Sequence, residues 1–70
     1  MQRTRVSSSN IASVGYDPES QVLEVEFHGG GVYRYSSVPA RVYDAFLRAP
    51  SKGSYFHSHV KDIYPCRQVS

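Results

Sequence analysis

The sequence predicts an α+β domain in which a three-stranded antiparallel β-meander is packed on one face by two C-terminal helices. Residues 22–27 alternate between apolar and charged side chains, which is typical of a half-buried strand. The three glycines at 29–31 can adopt the positive φ angles of a tight hairpin turn, so a strand at 32–38 folds back on the first run. Beyond Pro39 the apolar residues recur at helical spacing, which indicates helices that cover the apolar face of the sheet.

Length, charge and cysteine content limit the class of protein. Seventy residues make one small domain, predicted over 1–70, and a chain this short buries only about 60% of its unfolded surface. The net charge is +2, with the positive excess in residues 41–70, which permits a polyanionic partner without requiring one. Cys66 is the only cysteine, so no internal disulfide can form. Without an apolar run long enough for a bilayer span or a signal peptide, we expect a cytoplasmic location and no membrane partner.

The N-terminal part of the chain contains the first predicted strand. Residues 1–6 are polar and basic and are predicted to form a flexible arm, and a turn-forming cluster at 7–10 follows. The strand is predicted over 11–16, and a proline turn at 17–20 closes it. Gly15 indicates a bulge or a place where a neighbouring side chain needs room. The expected inward-facing residues are Ala12, Val14 and Tyr16.

The second and third strands form a hairpin whose two faces differ in character. One face gathers apolar and aromatic residues, which are Leu23, Val25, Phe27, Tyr33 and Tyr35. We predict that this face forms the core, and the alternative is that Tyr33 and Tyr35 stack on bases, as aromatic residues do in RNA-recognition modules. The other face carries Glu24, Glu26, His28 and Arg34. It meets water or a partner, and it predicts a cross-strand ion pair between Arg34 and these glutamates.

The first helix is predicted to begin at Pro39, because a proline at the first helical position lacks only an N–H that would have no partner there. Ser37 could help to cap this end. Ala49 precedes Pro50 and ends the helix, because the residue before proline avoids helical angles. An apolar stripe faces the sheet, and it consists of Val42, Tyr43, Phe46 and Leu47.

The second helix is predicted to begin after Ser51, a favourable N-cap residue, and to end at Tyr64 because Pro65 follows. Residues 66–70 are predicted to form a short tail. One face of this helix is apolar, and it consists of Phe56, Val60 and Ile63.

Several motifs along the chain resemble the KTSC domain family. They are VSSSNI at 6–11, VGYD at 14–17, YRY at 33–35, SKG at 51–53, YF at 55–56 and YP at 64–65. The resemblance covers residues 6–69. It implies a small domain without an established activity, which occurs alone in bacterial and phage proteins and at the C-terminus of some lysyl-tRNA synthetases. The association with synthetases is the reason that RNA binding is expected of the family.

The residues themselves support a non-enzymatic binding module for RNA or another nucleic acid as the leading hypothesis. The candidate binding residues form what we call the basic helical strip, which consists of Arg48, Lys52, Lys61, Arg67, Tyr55 and Tyr64. The cations would contact phosphates, and the tyrosines would stack on bases. An ordinary solvated helix face explains the same pattern. The alternative function is a protein-interaction or assembly module that uses a sheet edge or the outer sheet face.

Other polar clusters have simpler structural explanations. The SKG motif at 51–53 could hold a phosphate at a helix start, but a helix cap with a solvated lysine accounts for it. His57 and His59 are two residues apart, and with His28 and Cys66 they match no common zinc pattern, so we predict neither a metal nor a cofactor. No acid–base pair or activated nucleophile stands out, so we predict that the protein is not an enzyme.

Overall fold

The computed structural model describes residues 2–70, which fold into five strands and two helices. The strands are β1 (Arg3–Arg5), β2 (Ile11–Asp17), β3 (Val22–Phe27), β4 (Val32–Tyr35) and β5 (Cys66–Gln68), and the helices are α1 (Ala40–Arg48) and α2 (Lys52–His59). The strands form one antiparallel sheet in chain order, and both helices lie between β4 and β5 in the chain. The predicted α+β architecture, with two helices on an antiparallel sheet, is confirmed.

The sheet has five strands rather than the three predicted, because both chain ends add an edge strand. The expected arm at 1–6 contains β1, which pairs with β2, and the expected tail at 66–70 contains β5, which pairs with β4. Each of these strands has only three residues, all exposed. Neither has the apolar alternation from which a strand is predicted, so backbone hydrogen bonds to the neighbouring strand are what hold them.

A bulge in β2 changes which residues face the core. The register shifts between Ile11 and Ser13, so Ala12 is an extra residue in the strand. As a result Ile11 and Val14 are both fully buried, whereas Ala12, which simple alternation places inward, is only partly buried. The prediction was wrong for Ala12 because a bulge reverses the alternation on one side of it.

The hairpin between β3 and β4 has the predicted register. Leu23 lies opposite Tyr35 and Val25 lies opposite Tyr33, so both tyrosines point to the apolar face. The last two glycines of the connecting turn have φ angles of 100° and 92°, a backbone region that favours glycine. Tyr35 is only 5% exposed and belongs to the core as predicted, whereas Tyr33 is half-buried at the margin of the core.

Helix α1 begins one residue later than predicted. Pro39 is its N-cap, with an extended ψ of 152°, and no side chain caps this end, so the capping role expected of Ser37 is not seen. Phe46 is fully buried and anchors the helix on the sheet. Val42 and Tyr43 pack against the core as predicted, but Leu47, which the stripe also places inward, is 37% exposed, so its predicted place on the buried face was wrong.

Helix α2 has the predicted start and an earlier end. The Ser51 side chain accepts a hydrogen bond from the backbone N–H of Ser54 at 3.3 Å, so the predicted N-cap is confirmed. The helix ends at His59 rather than at Tyr64, because the backbone leaves helical angles and turns. Val60 is still fully buried after the turn, but Ile63 is 57% exposed, so its predicted place on the buried face was wrong.

The hydrophobic core lies between the sheet and the two helices. Its nine buried hydrophobic residues come from strands, helices and the segments beside them, and they are Ile11, Val14, Leu23, Val25, Tyr35, Val38, Phe46, Phe56 and Val60. Burial of this apolar area is the main stabilising term for such a small domain. The sheet face opposite the helices carries polar and charged side chains.

Candidate nucleic-acid interface

The loop before β2 lies against the start of α2, and the two segments form a groove of about 460 Å³. A Cβ atom placed on Gly53 would lie 3.6 Å from Asn10 Nδ2 and 3.8 Å from Ser8 Oγ, so the segments are in contact. Most of the lining residues carry hydroxyl, amide or basic groups. We call this surface the hydroxyl groove, and its lining is Ser7, Ser8, Ser9, Asn10, Pro50, Ser51, Lys52, Gly53, Ser54, His57 and Ser58.

The serine-rich wall of the groove is held by its own hydrogen bonds and by the end of β3. Ser8 Oγ accepts from the backbone N–H groups of Asn10 and Ile11, each at 3.3 Å. His28 Nε2 lies 3.0 Å from the Ser8 carbonyl oxygen, which can only accept, so Nε2 carries the proton. The backbone N–H of His28 donates to Asn10 O at 2.9 Å. These four bonds fix the loop without using the hydroxyl groups of Ser7 or Ser9.

The opposite wall is the first turn of α2. Lys52 is partly buried, and its Nζ donates to the Ala49 carbonyl oxygen at 3.1 Å, which ties the lysine to the end of α1. An ammonium group has three donors, so two remain for a ligand. His57, one turn further along the helix, is exposed and lines the same groove. The wall therefore presents a positioned positive charge and an imidazole ring to the same groove.

A second depression of about 330 Å³ extends the hydroxyl groove along α2. It shares Ser9, Asn10, Gly53 and His57 with the groove, and it adds His28 and Lys61 among its polar residues. No aspartate or glutamate lines either depression within the described residues. Carboxylates repel phosphate oxygens, so a surface that combines lysines, histidines and hydroxyl groups without carboxylates is chemically suited to an anion.

An aromatic pocket of about 460 Å³ continues the same surface beyond Lys61. It shares Phe27, Phe56 and Lys61 with the second depression, and its full lining is Phe27, Gly30, Tyr33, Tyr35, Phe56, Lys61, Asp62 and Cys66. The rings pack edge to face, with centroids 5.6 Å apart for Phe27 and Tyr33 and 5.3 Å apart for Tyr35 and Phe56. Burial raises the pKa of Tyr35 to about 12, and the neighbouring Cys66 thiol adds to the effect.

The basic helical strip is not one continuous surface. Lys52 lines the hydroxyl groove, and Lys61 lines the second depression and the aromatic pocket. Arg48 lies beside a separate depression, where Tyr55 also lies. Arg67 lies in β5 opposite Arg34, on the sheet face that the helices leave uncovered. The predicted strip assumed that α2 continues to Tyr64 and that residues 66–70 form a tail. Because α2 ends at His59 and β5 pairs with β4, Arg67 lies apart from Lys52 and Lys61.

The two tyrosines of the strip have structural partners. Tyr55 stacks on His59, with ring centroids 4.2 Å apart and planes 10° apart, and it also lies near Phe46. Tyr64 is partly buried and packs against the core. Their predicted role in stacking on bases stays a prediction. Tyr33 is also partly buried, and it lines the aromatic pocket.

The outer sheet face carries an ion network centred on Glu24. Glu24 Oε1 accepts a hydrogen bond from Arg34 Nε at 2.9 Å, which confirms the predicted cross-strand pair. Glu24 Oε2 lies 3.4 Å from Arg3 Nε, although β2 runs between the two strands. Gly15 lies opposite both Arg3 and Glu24 and has no side chain, so the arginine can reach across it. Gly15 thus leaves room for a neighbouring side chain, one of the two readings that the sequence indicated.

Sequence reasoning missed two features of the structure. It treated the serine cluster as a turn and the SKG motif as a cap, and it had no means of predicting that the two segments would touch. It also missed Arg3 as a partner of Glu24, because the arginine lies in an edge strand with no apolar pattern. The ordered set of motifs shared with a family was the one sequence feature that linked the serine cluster with the SKG motif.

The edges of the sheet bear on the hypothesis of an assembly module, which stays a prediction. Both edge strands have three residues, and both carry arginine. Short, charged edges are a common way in which proteins avoid pairing with a second sheet.

No helix within residues 2–70 has both the length and the apolar composition needed to cross a bilayer. Nor do three or more potential metal ligands come together in this part of the chain.

Comparison with known proteins gives relatives of two kinds. An uncharacterised protein from Stutzerimonas stutzeri is 49% identical over 61 residues, which are 87% of this chain and 86% of that protein. A lysine–tRNA ligase from a Nostoc species is 40% identical over 62 residues, which are 89% of this chain and only 11% of the ligase. The chain is therefore similar to whole small proteins and also to one short part of a much longer enzyme.

A crystal structure of a KTSC domain protein from Yersinia pestis has the same fold. It superposes with a TM-score of 0.97 at 43% sequence identity, and the match covers 99% of this chain and 97% of that one. The sequence model of the KTSC domain matches residues 7–64 of this chain, a range that includes both walls of the hydroxyl groove. The chain belongs to the KTSC domain family.

Proposed function

We propose that this domain binds single-stranded RNA without catalysing a reaction, and that it holds the sugar–phosphate backbone in the hydroxyl groove. The observation that carries the proposal is the chemistry of the lining, which combines hydroxyl, amide, histidine and lysine groups with no carboxylate. Phosphate oxygens accept from such donors, and lysines replace the counterions of the backbone. Lys52 and Lys61 supply the charge, and the serines supply hydrogen bonds.

The outer sheet face is a weaker candidate for a polyanion. Arg3 and Arg34 lie there, but the two carboxylates of Glu24 and Glu26 lie among them and accept their contacts. Arg67 lies beside this network rather than beside the lysines of the groove. We therefore expect Arg67 to contribute less to binding than Lys52 and Lys61. We expect the same of Arg48, because it lies at a separate depression that Asp44 also lines.

The relatives add support of a different kind. A lysine–tRNA ligase is by its name an enzyme that acts on a transfer RNA, and 40% identity over 62 residues relates this chain to a part of one. A domain carried by such an enzyme has regular access to RNA. The small size of the matched region, 11% of the ligase, is consistent with an auxiliary binding role rather than with the ligase reaction.

Fluorescence anisotropy with a labelled single-stranded RNA tests the proposal. Two lysine contacts give a slope of about −1.4 for log K against log salt, so binding should weaken about sevenfold between about 50 and about 200 mM salt. Lys52→Gln or Lys61→Gln should lower affinity and reduce the salt effect to about threefold. Arg5→Gln is the matched control, because it removes the same charge from an exposed residue of β1 that does not line the groove.

Three results would contradict the proposal. One is an absence of binding at the lower salt concentration. Another is equal loss of affinity in the Lys52, Lys61 and Arg5 variants, which would indicate a general charge effect and not a site. A larger loss for Arg48→Gln than for Lys52→Gln would also contradict the proposal, because it would favour the separate depression beside Arg48 as the binding surface.

A further inference from the structure

We propose that the aromatic pocket holds one unstacked nucleobase of the RNA whose backbone lies in the hydroxyl groove. This inference rests on the proposed function and adds a recognition site to it. The aromatic pocket continues the surface of the groove. Phe27, Phe56 and Lys61 line both the aromatic pocket and the depression that extends the groove, so one bound strand can occupy both at once.

The rings of the aromatic pocket have an arrangement and an exposure that suit a stacked base. Phe27 and Tyr33 are only partly buried, and they meet edge to face at 5.6 Å, which leaves ring surface open toward the pocket. Gly31 helps to position Tyr33, because a Cβ on that glycine would lie 3.2 Å from the tyrosine ring. A planar base can stack on a ring held in this way, and base–aromatic stacking is a common mode of single-strand recognition.

The rim of the pocket is polar. Asp62 supplies a carboxylate, Lys61 an ammonium group and Cys66 a thiol, and all three line the pocket. The edge of a base presents both donors and acceptors that such groups can pair with, whereas a purely apolar ligand would make no use of them. Lys61 lies where the two surfaces meet, so it can contact the phosphate of the same nucleotide.

The experiment compares a short single-stranded RNA with the same RNA made abasic at each position in turn. One abasic position should weaken binding to the native domain about tenfold, the loss expected for one stacked base. Tyr33→Leu, which keeps an apolar side chain, should weaken binding of the intact RNA by a similar factor and show little further loss with the abasic RNA. A 2-aminopurine base at that position should lose fluorescence on binding to the native domain.

Tyr43→Leu is the matched control, because Tyr43 stacks on Tyr16 and does not line the pocket. Thermal melts establish that each variant is folded, and the abasic series needs no variant at all. If every abasic RNA binds as tightly as the intact one while the salt effect persists, the base pocket is refuted and the backbone site stands. If no RNA binds, both proposals fail. If Tyr43→Leu and Tyr33→Leu lose affinity equally, the pocket is again refuted.

Discussion

Replacing Glu24 with glutamine should measure how much the ion network on the outer sheet face stabilises the domain. Glu24 is 8% exposed, and it contacts Arg34 Nε at 2.9 Å and Arg3 Nε at 3.4 Å. A hydrogen bond to a charged group contributes roughly 1.5–3 kcal/mol, and an exposed ion pair roughly 0.2–1 kcal/mol. The arginine side chains are 50% and 35% exposed, so solvent screens both contacts. We therefore expect a loss of about 1.5 kcal/mol for Glu24→Gln, at the low end of these ranges.

Thermal denaturation followed by circular dichroism is a suitable assay. In a domain of this size 1 kcal/mol shifts Tm by roughly 4–8 °C, so Glu24→Gln should lower Tm by about 6–12 °C. The difference should shrink in about 1 M salt, which screens the two arginines. Glu19→Gln is the matched control, because Glu19 is exposed in a turn and takes part in no ion pair within residues 2–70. Equal Tm values for the two variants would refute the reasoning.

Three further predictions concern the core, the helix cap and β1. The pKa of Tyr35 is about 12 in the folded domain and about 10 in the unfolded chain. The contribution of this residue to the free energy of unfolding is therefore full below about pH 10 and is lost as pH rises toward about 12. Tyr35→Phe should remove up to about 3 kcal/mol of this loss of stability at alkaline pH. If urea titrations show the same loss in the variant, the raised pKa does not belong to Tyr35. Ser51→Ala should destabilise the domain by about 1 kcal/mol, because it removes the N-cap of α2. Ser58→Ala is the control, and equal urea midpoints for the two variants would be inconsistent with a capping role for Ser51. Gly15→Val should separate Arg3 from Glu24, lower the free energy of unfolding by about 0.5–1 kcal/mol and speed amide hydrogen exchange in β1. Unchanged exchange would show that Arg3 does not need the space that Gly15 leaves.

The sequence predicts the central hairpin well because its two faces differ so clearly. Alternation in residues 22–27 fixes which side chains point inward, and the glycine turn then sets the pairing of Val25 with Tyr33. Alternation cannot predict a bulge, which is why Ile11 replaces Ala12 in the core. Helical spacing likewise cannot predict that α2 ends in a turn at His59, before the proline is reached. Ile63 lies beyond that turn, so it does not lie on the buried face of the helix and is exposed.

The edge strands and the candidate site depend on contacts that no local pattern contains. Strands β1 and β5 are polar and exposed, and they exist because a neighbouring strand offers them hydrogen bonds. That pairing carries Arg67 to the far side of the sheet and breaks up the basic helical strip. The hydroxyl groove forms where the loop at 7–10 meets the start of α2, and a turn and a cap give no indication in the sequence that they are neighbours.

The most direct test of the account is an amide NMR titration of the domain with a short single-stranded RNA. We expect the largest chemical-shift changes at Ser8, Asn10, Gly53 and His57, which line the hydroxyl groove, and smaller changes reaching Tyr33 in the aromatic pocket. Residues of the outer sheet face should change little. Shifts concentrated on that outer face, or no shifts at an RNA concentration far above that of the protein, would contradict the account.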